Sequence, residues 1–430
     1  MAISGWLVGL LALGAVPLVV TDSPIVLAGW VFVLVALVVV DLLIAGSPRR
    51  VILSRELPSR VRLGETTSAV LRLTNTGKRR IRGIVRDAWQ PSAGASPTRQ
   101  RVVIPAGERR SITTSLTPFR RGERRSGQVT IRSFGPLRLA ARQATIDAPA
   151  AIQVLPPFNS RKHLPSRLAR LRELDGRTSV MIRGQGTEFD SLREYVRGDD
   201  VRSIDWRATA RRSDLVVRTW RPERDRRVVI VIDSGRTSAA RIDREARIDT
   251  AFESALLLAA LASRAGDRVD AVVFDRRVRG RVQGATGADL MSRLVDTMAP
   301  IDPELIEMDW TAVPSLVRSI TSQHALVVLA TSIDAPGSAR GLLAVLPQLT
   351  RKHRVIVSSV TDPAVLEAIG ARGNRGEVYR AAAAERAVLD IARVSTAIRQ
   401  LGGDVVTGAP ADLPPALADR YIALKAAGLL

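Results

Sequence analysis

Hydrophobic and polar positions give this chain three successive textures. Ile3 to Val20 and Ile25 to Ile44 are almost wholly apolar, with Asp41 the only charge in either run. Each run is long enough to cross a bilayer core as a helix, which takes about 20 residues. Only Thr21 to Pro24 lies between them, so the pattern predicts a transmembrane helical hairpin over residues 1–46. Arg49 and Arg50 follow the second run and no basic residue precedes the first. The positive-inside rule then sets the tight turn outside and both ends in the cytoplasm, making a multi-pass protein of the inner (plasma) membrane. A cleaved signal peptide is the competing reading, but the first residues lack a positive charge and the run exceeds a usual signal core.

From Val51 the pattern alternates. Ala69, Leu71 and Leu73 interleave with Val70, Arg72 and Thr74, Val129 and Ile131 with Thr130 and Arg132, and Gly and Pro punctuate the intervals. Short strands between such turns predict a β-sandwich-like domain over 51–155, with Pro156-Pro157 at its boundary. It carries no catalytic constellation, and an interaction or spacer module is the expectation.

Beyond Pro157 the period changes again. Leu164–Leu174 reads as a helix. Val228–Ile232, Val269–Phe274, Ala325–Ala330 and Val355–Val360 are short apolar runs with little alternation, as strands covered on both faces require. Arg244–Arg264 reads as a buried crossover helix, and Leu290–Met298, Val313–Ile320 and Gly341–Leu349 as further helices. Strand–helix alternation implies a doubly wound, mostly parallel α/β sheet over 158–430, whose ligands would bind at the carboxyl ends of the strands.

Composition narrows the chemistry. The absence of cysteine excludes disulfides, zinc–thiolate sites and thiol catalysis. The formal net charge is +22, but all basic residues except Lys78, Lys162, Lys352 and Lys425 are Arg. That skew, with abundant Ala and Val, reads as general basic drift. A membrane-associated nucleic-acid binder stays a third reading, without an aromatic-interleaved basic motif to support it. The basic segment after the second run suits anionic inner-leaflet lipids. His163, His324 and His353 stand at no metal-ligand spacing, and no Walker loop, nucleophile elbow or His-Glu-x-x-His occurs. A small-molecule substrate is not expected.

Two places hold candidate chemistry. The first is Asp233-Ser234-Gly235-Arg236-Thr237, directly after the strand Val228–Ile232. It resembles a worn metal-ion-dependent adhesion site of von Willebrand factor A-like domains, Asp-x-Ser-x-Ser. The resemblance implies Mg²⁺ or another divalent cation on Asp233 and Thr237, with Thr311 as the later-loop hydroxyl and Ser332 where an acid is usual, Asp334 slightly displaced. A divalent-metal-dependent hydrolase centred on Asp233 is therefore the alternative reading of function. The second place is the charged block within 183–225. Glu188, Phe189, Arg193, Tyr195, Asp199, Arg202, Asp205 and Trp206 interleave carboxylates, guanidiniums and aromatics. Arg pairs bidentately with carboxylates, and aromatics and Arg dominate interface hot spots. The block reads either as a packing element or as a partner-docking surface. An acid/base role for Asp199 and Asp205 lacks a nucleophile.

The series Gly184-x-Gly186-x-Glu188-Phe189, Leu192-Arg193-x-Tyr195, Gly198-Asp199 and Arg202-x-Ile204-Asp205-Trp206-x-Ala208 resembles the signature of the bacterial domain-of-unknown-function 58 family. Gly266-Asp267-Arg268-Val269 and the tail Tyr421-Ile422-Ala423-Leu424-Lys425 with Gly428 are similar to that family's later segments. The resemblance implies a von Willebrand factor A-like (Rossmann-type) fold. It also implies a MoxR-type AAA+ ATPase as protein partner, since such genes are commonly neighbours. The expected function is a non-enzymatic, membrane-anchored scaffold or adaptor in a cell-envelope or chaperone-like system.

Overall fold

Pro24 opens the second apolar run as a 21-residue helix, Pro24–Ile44, long and apolar enough to cross a membrane. The computed structural model describes residues 2–14, 16, 23–181, 188–197, 199–212, 214–221, 226–242 and 245–430. Within the first apolar run a helix spans Gly5–Leu13, and residues 15 and 17–22 lie outside the described ones. The two helices touch where Trp30 Nε1 donates to the Leu10 carbonyl at 3.1 Å. A β-carbon on Gly14 would lie 2.3 Å from the Trp30 ring, so this approach requires glycine.

The chain divides into two units, Met1–Leu155 and Pro156–Leu430. The first unit holds two sheets. One has Val51–Glu56, Thr67–Asn75, Arg109–Leu116 and Ala95–Ser96 in order. The other runs Ala2–Ile3, Ala140–Leu155, Gly122–Phe134, Ile81–Trp89 and Arg99–Ile104, with Arg60–Arg62 also pairing with Ala140–Leu155. Alternation supplies the shared core: Leu71, Leu73 and Ile112 from one sheet meet Ile81, Val85, Ile104, Val129 and Ile131 from the other. A buried polar network interrupts this apolar packing. Asp87 accepts from Arg55 at 2.6 Å, Trp89 Nε1 at 2.8 Å and Ser126 at 2.9 Å.

The apolar helix ends on this unit. Asp41 is buried, and its carboxylate accepts the backbone N–H groups of Leu137, Leu139 and Ala140 at 2.8–3.2 Å. The helix passes so close to Gly135 that a β-carbon there would lie 2.1 Å from Asp41 Oδ1. The strand Ala2–Ile3 pairs with Ala140 and Ala141, so the residues preceding the first helix meet the same corner as the end of the second.

The second unit is built on a six-stranded sheet. Its order is Val278–Val282, Arg268–Phe274, Arg227–Asp233, Leu326–Ala330, Arg354–Val360 and Asp404–Gly408. Every neighbouring pair is parallel except Arg268–Phe274 with Val278–Val282. Strand Arg227–Asp233 is buried along nearly its whole length, which its uninterrupted Val and Ile make favourable. The helix Arg247–Arg264, three residues shorter at its start than the sequence suggests, buries Phe252, Leu256, Leu257 and Leu261. Val313–Ile320 and Arg340–Thr350 bury their apolar stripes in a core shared with Val229, Val231, Val327 and Val357. Among the elements not expected from the sequence are the edge strands Val278–Val282 and Asp404–Gly408, the 26-residue helix Arg375–Gln400 and the helix Leu413–Ala426.

Candidate functional site

The first strand of this sheet lies in its middle. From Arg227–Asp233 the chain moves to Arg268–Phe274 on one side, then returns to Leu326–Ala330 on the other. Strand order therefore reverses between Arg227–Asp233 and Leu326–Ala330, and their carboxyl ends form the crevice where open α/β sheets bind ligands. Ile232 is in register with Ala330, so Asp233 and Thr331 leave the sheet side by side.

They close that crevice against each other. Thr331 Oγ1 donates to Asp233 Oδ2 at 2.7 Å. Gly235 N–H donates to Asp233 Oδ1 at 2.7 Å, and Thr237 Oγ1 reaches Oδ2 at 3.4 Å. Burial pushes the Asp233 carboxyl above the usual carboxylate range, with nearby Asp275 adding to it; the bonds from Thr331, Gly235 and Thr237 offset only part. Asp275 ends the neighbouring strand and is governed differently. Burial would raise it, but Arg279, the N–H groups of Arg277 and Arg276, and the Ser234 hydroxyl outweigh burial and hold it below the usual range. The Ser234 hydroxyl is thus directed to Asp275, at 3.1 Å.

These residues do not make a divalent-cation site as they stand. Magnesium requires near-octahedral oxygen ligation, usually from one or two carboxylates, phosphates and water. Here one carboxylate is available and both its oxygens accept protein donors. Thr237 stands beside it, but Thr311 is exposed and donates to Asp309 at 2.5 Å. Asp334 is paired with Arg247 at 2.8 Å. Among the described residues no cluster of three or more His, Asp or Glu could hold a metal. The missing middle hydroxyl also has a steric cause: a β-carbon on Gly235 would lie 2.8 Å from the Ile306 carbonyl oxygen.

What remains beside the crevice is a cavity of about 10 Å³, lined by Arg247, Thr331, Ser332 and Ser358 among others. That is room for about one water. The hydroxyls of Ser332 and Ser358 and Nε of Arg247 are buried without a hydrogen-bond partner among the described residues. Arg247, paired with Asp334, brings a guanidinium to the wall of this space.

The charged block forms a separate small module. Glu188–Glu194 and Val216–Arg221 pair as a two-stranded antiparallel sheet, with the short helix Trp206–Arg212 in the connection. Gly184, Gly186 and Gly198 lie outside the described residues, and the backbones of Glu188 and Phe189 pair with Arg221 and Trp220. Asp199 accepts both terminal nitrogens of Arg193, at 2.5 and 2.7 Å, and the N–H of Val196. Arg193 chiefly, then that N–H, holds its carboxyl below the usual range. Asp205 caps the helix through the N–H groups of Arg207 and Ala208 and accepts Arg218 Nε at 2.8 Å. The Ala208 bond leads in lowering its pKa, with Arg218 next. Both carboxylates are bonded within the module. The backbone N–H of Tyr195 bonds to the Leu215 carbonyl at 2.8 Å.

Other side chains of the module are exposed. Trp206 is 66% exposed, with Val196, Val201 and Leu215 exposed nearby in the chain. Arg197, Arg202, Arg207 and Arg211 are exposed and none has a side-chain partner among the described residues.

Residues 191–400 match the family described as "Protein of unknown function DUF58". An uncharacterized protein of Mycobacterium tuberculosis is 25% identical over 189 residues, 44% of this chain. The match covers 59% of that relative, so the chain spans under two thirds of its length. Among solved structures, a β-glucosidase from Listeria innocua is similar over 24% of this chain and 16% of its own, at 18% identity and a TM-score of 0.17. The CARDB domain of a Pyrococcus furiosus protein is similar over 24% of this chain and 94% of its own, at 16% identity and a TM-score of 0.17. Likenesses at these scores carry no functional meaning.

Proposed function

Because residues 191–400 match the DUF58 family model, we propose that the chain is a DUF58 protein and a membrane-anchored, non-enzymatic adaptor whose second unit docks a protein partner. What carries this reading is an exposed Trp206 on a module where Arg197, Arg202, Arg207 and Arg211 are exposed without a side-chain partner among the described residues, while Asp199 and Asp205 bond within it; we take these exposed residues to form one face. Exposed aromatics and arginines are the residues from which interface hot spots are built. The charge balance of that face selects an acidic partner surface with an apolar recess for the indole. A MoxR-type AAA+ ATPase of the same cell is the partner we name, in a cell-envelope or chaperone-like system.

Two further features support the adaptor over a hydrolase. The switch-point crevice of the sheet, which we take to be von Willebrand factor A-like, is closed by Thr331 on Asp233. The residual cavity, about 10 Å³, is far below the several hundred Å³ of small-molecule sites. For the anchor, we read both apolar runs as a hairpin. Its support is that Ala2–Ile3 and Asp41 converge on Leu137–Ala141, and that Trp30 packs on Gly14. The soluble units then lie in the cytoplasm.

The test uses the full chain in neutral detergent and the purified MoxR-type ATPase encoded by the same genome. Trp206→Ala should weaken binding by at least about tenfold, a hot-spot effect. Charge reversal at Arg202 and Arg207 should slow association and flatten its salt dependence. Unchanged affinity in both variants would remove this face as the docking surface, and absence of binding by the wild type would remove the partner.

A further inference from the structure

Basic residues that pair with no carboxylate among the described residues gather at the last turn of the apolar helix. Arg49 and Arg50 follow it directly in the short helix Pro48–Arg50. The turn 77–80 brings Lys78, Arg79 and Arg80 against the same place. The Arg79 guanidinium donates to the Leu43 carbonyl, and Gly46 lies against the Arg80 carbonyl so closely that a β-carbon would be 2.5 Å from its oxygen. On the other side, the Gly135 turn that touches Asp41 is closed by Arg138, in a left-handed conformation with φ 57°. Arg49, Arg50, Lys78, Arg79, Arg80 and Arg138 are all exposed.

Asp41 could have neutralised this ring, yet its carboxylate is buried and engaged by three backbone N–H groups. None of the six basic side chains forms an ion pair among the described residues. Leu137, beside Arg138 on the same turn, is 48% exposed. An apolar side chain flanked by unpaired cations, at the mouth of an apolar helix, has the chemistry of a membrane interface, where each basic residue near an anionic leaflet gains about 1 kcal/mol.

We propose that this ring is a binding collar for anionic phospholipid headgroups, which seats the two-sheet unit on the bilayer surface. The proposal rests on the reading that Pro24–Ile44 spans the membrane. The collar's ligand is the phosphodiester of the surrounding lipid, held by several guanidiniums at once, with Leu137 entering the acyl boundary.

The experiment takes the full chain into native membrane discs and measures the lipids retained around it. The wild type should retain anionic lipid about fivefold over the bulk membrane, the gain of one basic residue at an anionic surface. Arg49→Gln, Arg50→Gln, Lys78→Gln and Arg80→Gln together should return the composition to bulk. Lysine at the three arginines should keep the enrichment, which separates charge from misfolding. A variant with four cations removed elsewhere, Arg351→Gln, Lys352→Gln, Arg380→Gln and Arg399→Gln, should also keep it. Equal loss in that variant, or no enrichment in the wild type, would overturn the collar. Displacement of the retained lipid by inorganic phosphate alone would overturn it too, in favour of a single phosphate site. Release of the wild type from membranes by alkaline carbonate would instead overturn the membrane span itself.

Discussion

The phenol of Tyr421 donates a hydrogen bond to the carboxylate of Asp267, 154 residues earlier in the chain. Lys425 Nζ completes the pair at 2.7 Å, and Tyr421 is wholly buried. The C-terminal helix Leu413–Ala426 is thereby fastened to the turn between Arg247–Arg264 and Arg268–Phe274. Tyr421→Phe removes one bond to a charged acceptor and should lower the stability of the second unit by about 1.5–3 kcal/mol. Lys425→Met leaves a buried carboxylate without its cation and should cost more, about 3–5 kcal/mol. Urea unfolding of the full chain reads both, and the reverse order would show that Asp267 does not depend on Lys425.

Asp233 and Asp275 should give the second unit two opposite pH dependences. The folded-state pKa of Asp233 is raised, so its contribution is complete below the unfolded value of about 3.9 and is lost as pH rises through the folded value. Asp275 is lowered, so its contribution is present above the unfolded value and is lost as pH falls through the folded one. Asp233→Asn cannot titrate. Its stability relative to wild type should therefore increase between pH 4 and pH 7, whereas that of Asp275→Asn should fall as pH rises to about 4 and stay nearly level above it. A flat difference for Asp233→Asn would mean that burial does not govern that carboxyl.

Divalent cations should leave the protein unchanged. A single site with a dissociation constant of about 1 mM would add about 1.4 kcal/mol at about 10 mM free cation, a shift of a few degrees in Tm. We expect no shift with Mg²⁺ or Mn²⁺. A shift abolished by Thr237→Val would restore the cation site and, with it, the hydrolase reading.

Arg55 and Asp87 form an ion pair whose side chains are 6% and 4% exposed. Asp87→Ala strands a buried guanidinium and leaves Trp89 Nε1 without its acceptor, and should cost the first unit about 3–5 kcal/mol. Replacing both by apolar residues of similar volume should cost less than Asp87→Ala alone. Calorimetry of the two variants beside the wild type decides it.

Much of this architecture was legible because burial on both faces leaves a plain mark. Val228–Ile232 and Val355–Val360 are uninterrupted apolar runs, and the strands found extend them by only one or two residues. Val278–Val282 was not legible: as an exposed edge strand with a central Gly it has neither a buried run nor clean alternation. Asp404–Gly408 is an edge strand of the same sort, half-buried and five residues long. At the crevice, Asp233 was readable from its motif, but Thr331 was not. Its role depends on Leu326–Ala330 lying beside Arg227–Asp233 in that register, which no local pattern encodes. Gly266-Asp267 and Tyr421–Lys425 were visible as separate patterns and are one contact in the fold.

The clasp at Asp41 has a mechanical meaning. A hinge needs a stretch of backbone whose torsions can change while nothing else breaks. Residues 45–50 link the apolar helix to the strand Val51–Glu56, yet Ala45, Gly46 and Pro48 are buried and Thr76 holds the Arg50 carbonyl at 2.7 Å. Asp41 spans the joint from the other side. Helix and sheets are therefore joined without such a hinge, and a tilt of the helix carries the strands with it.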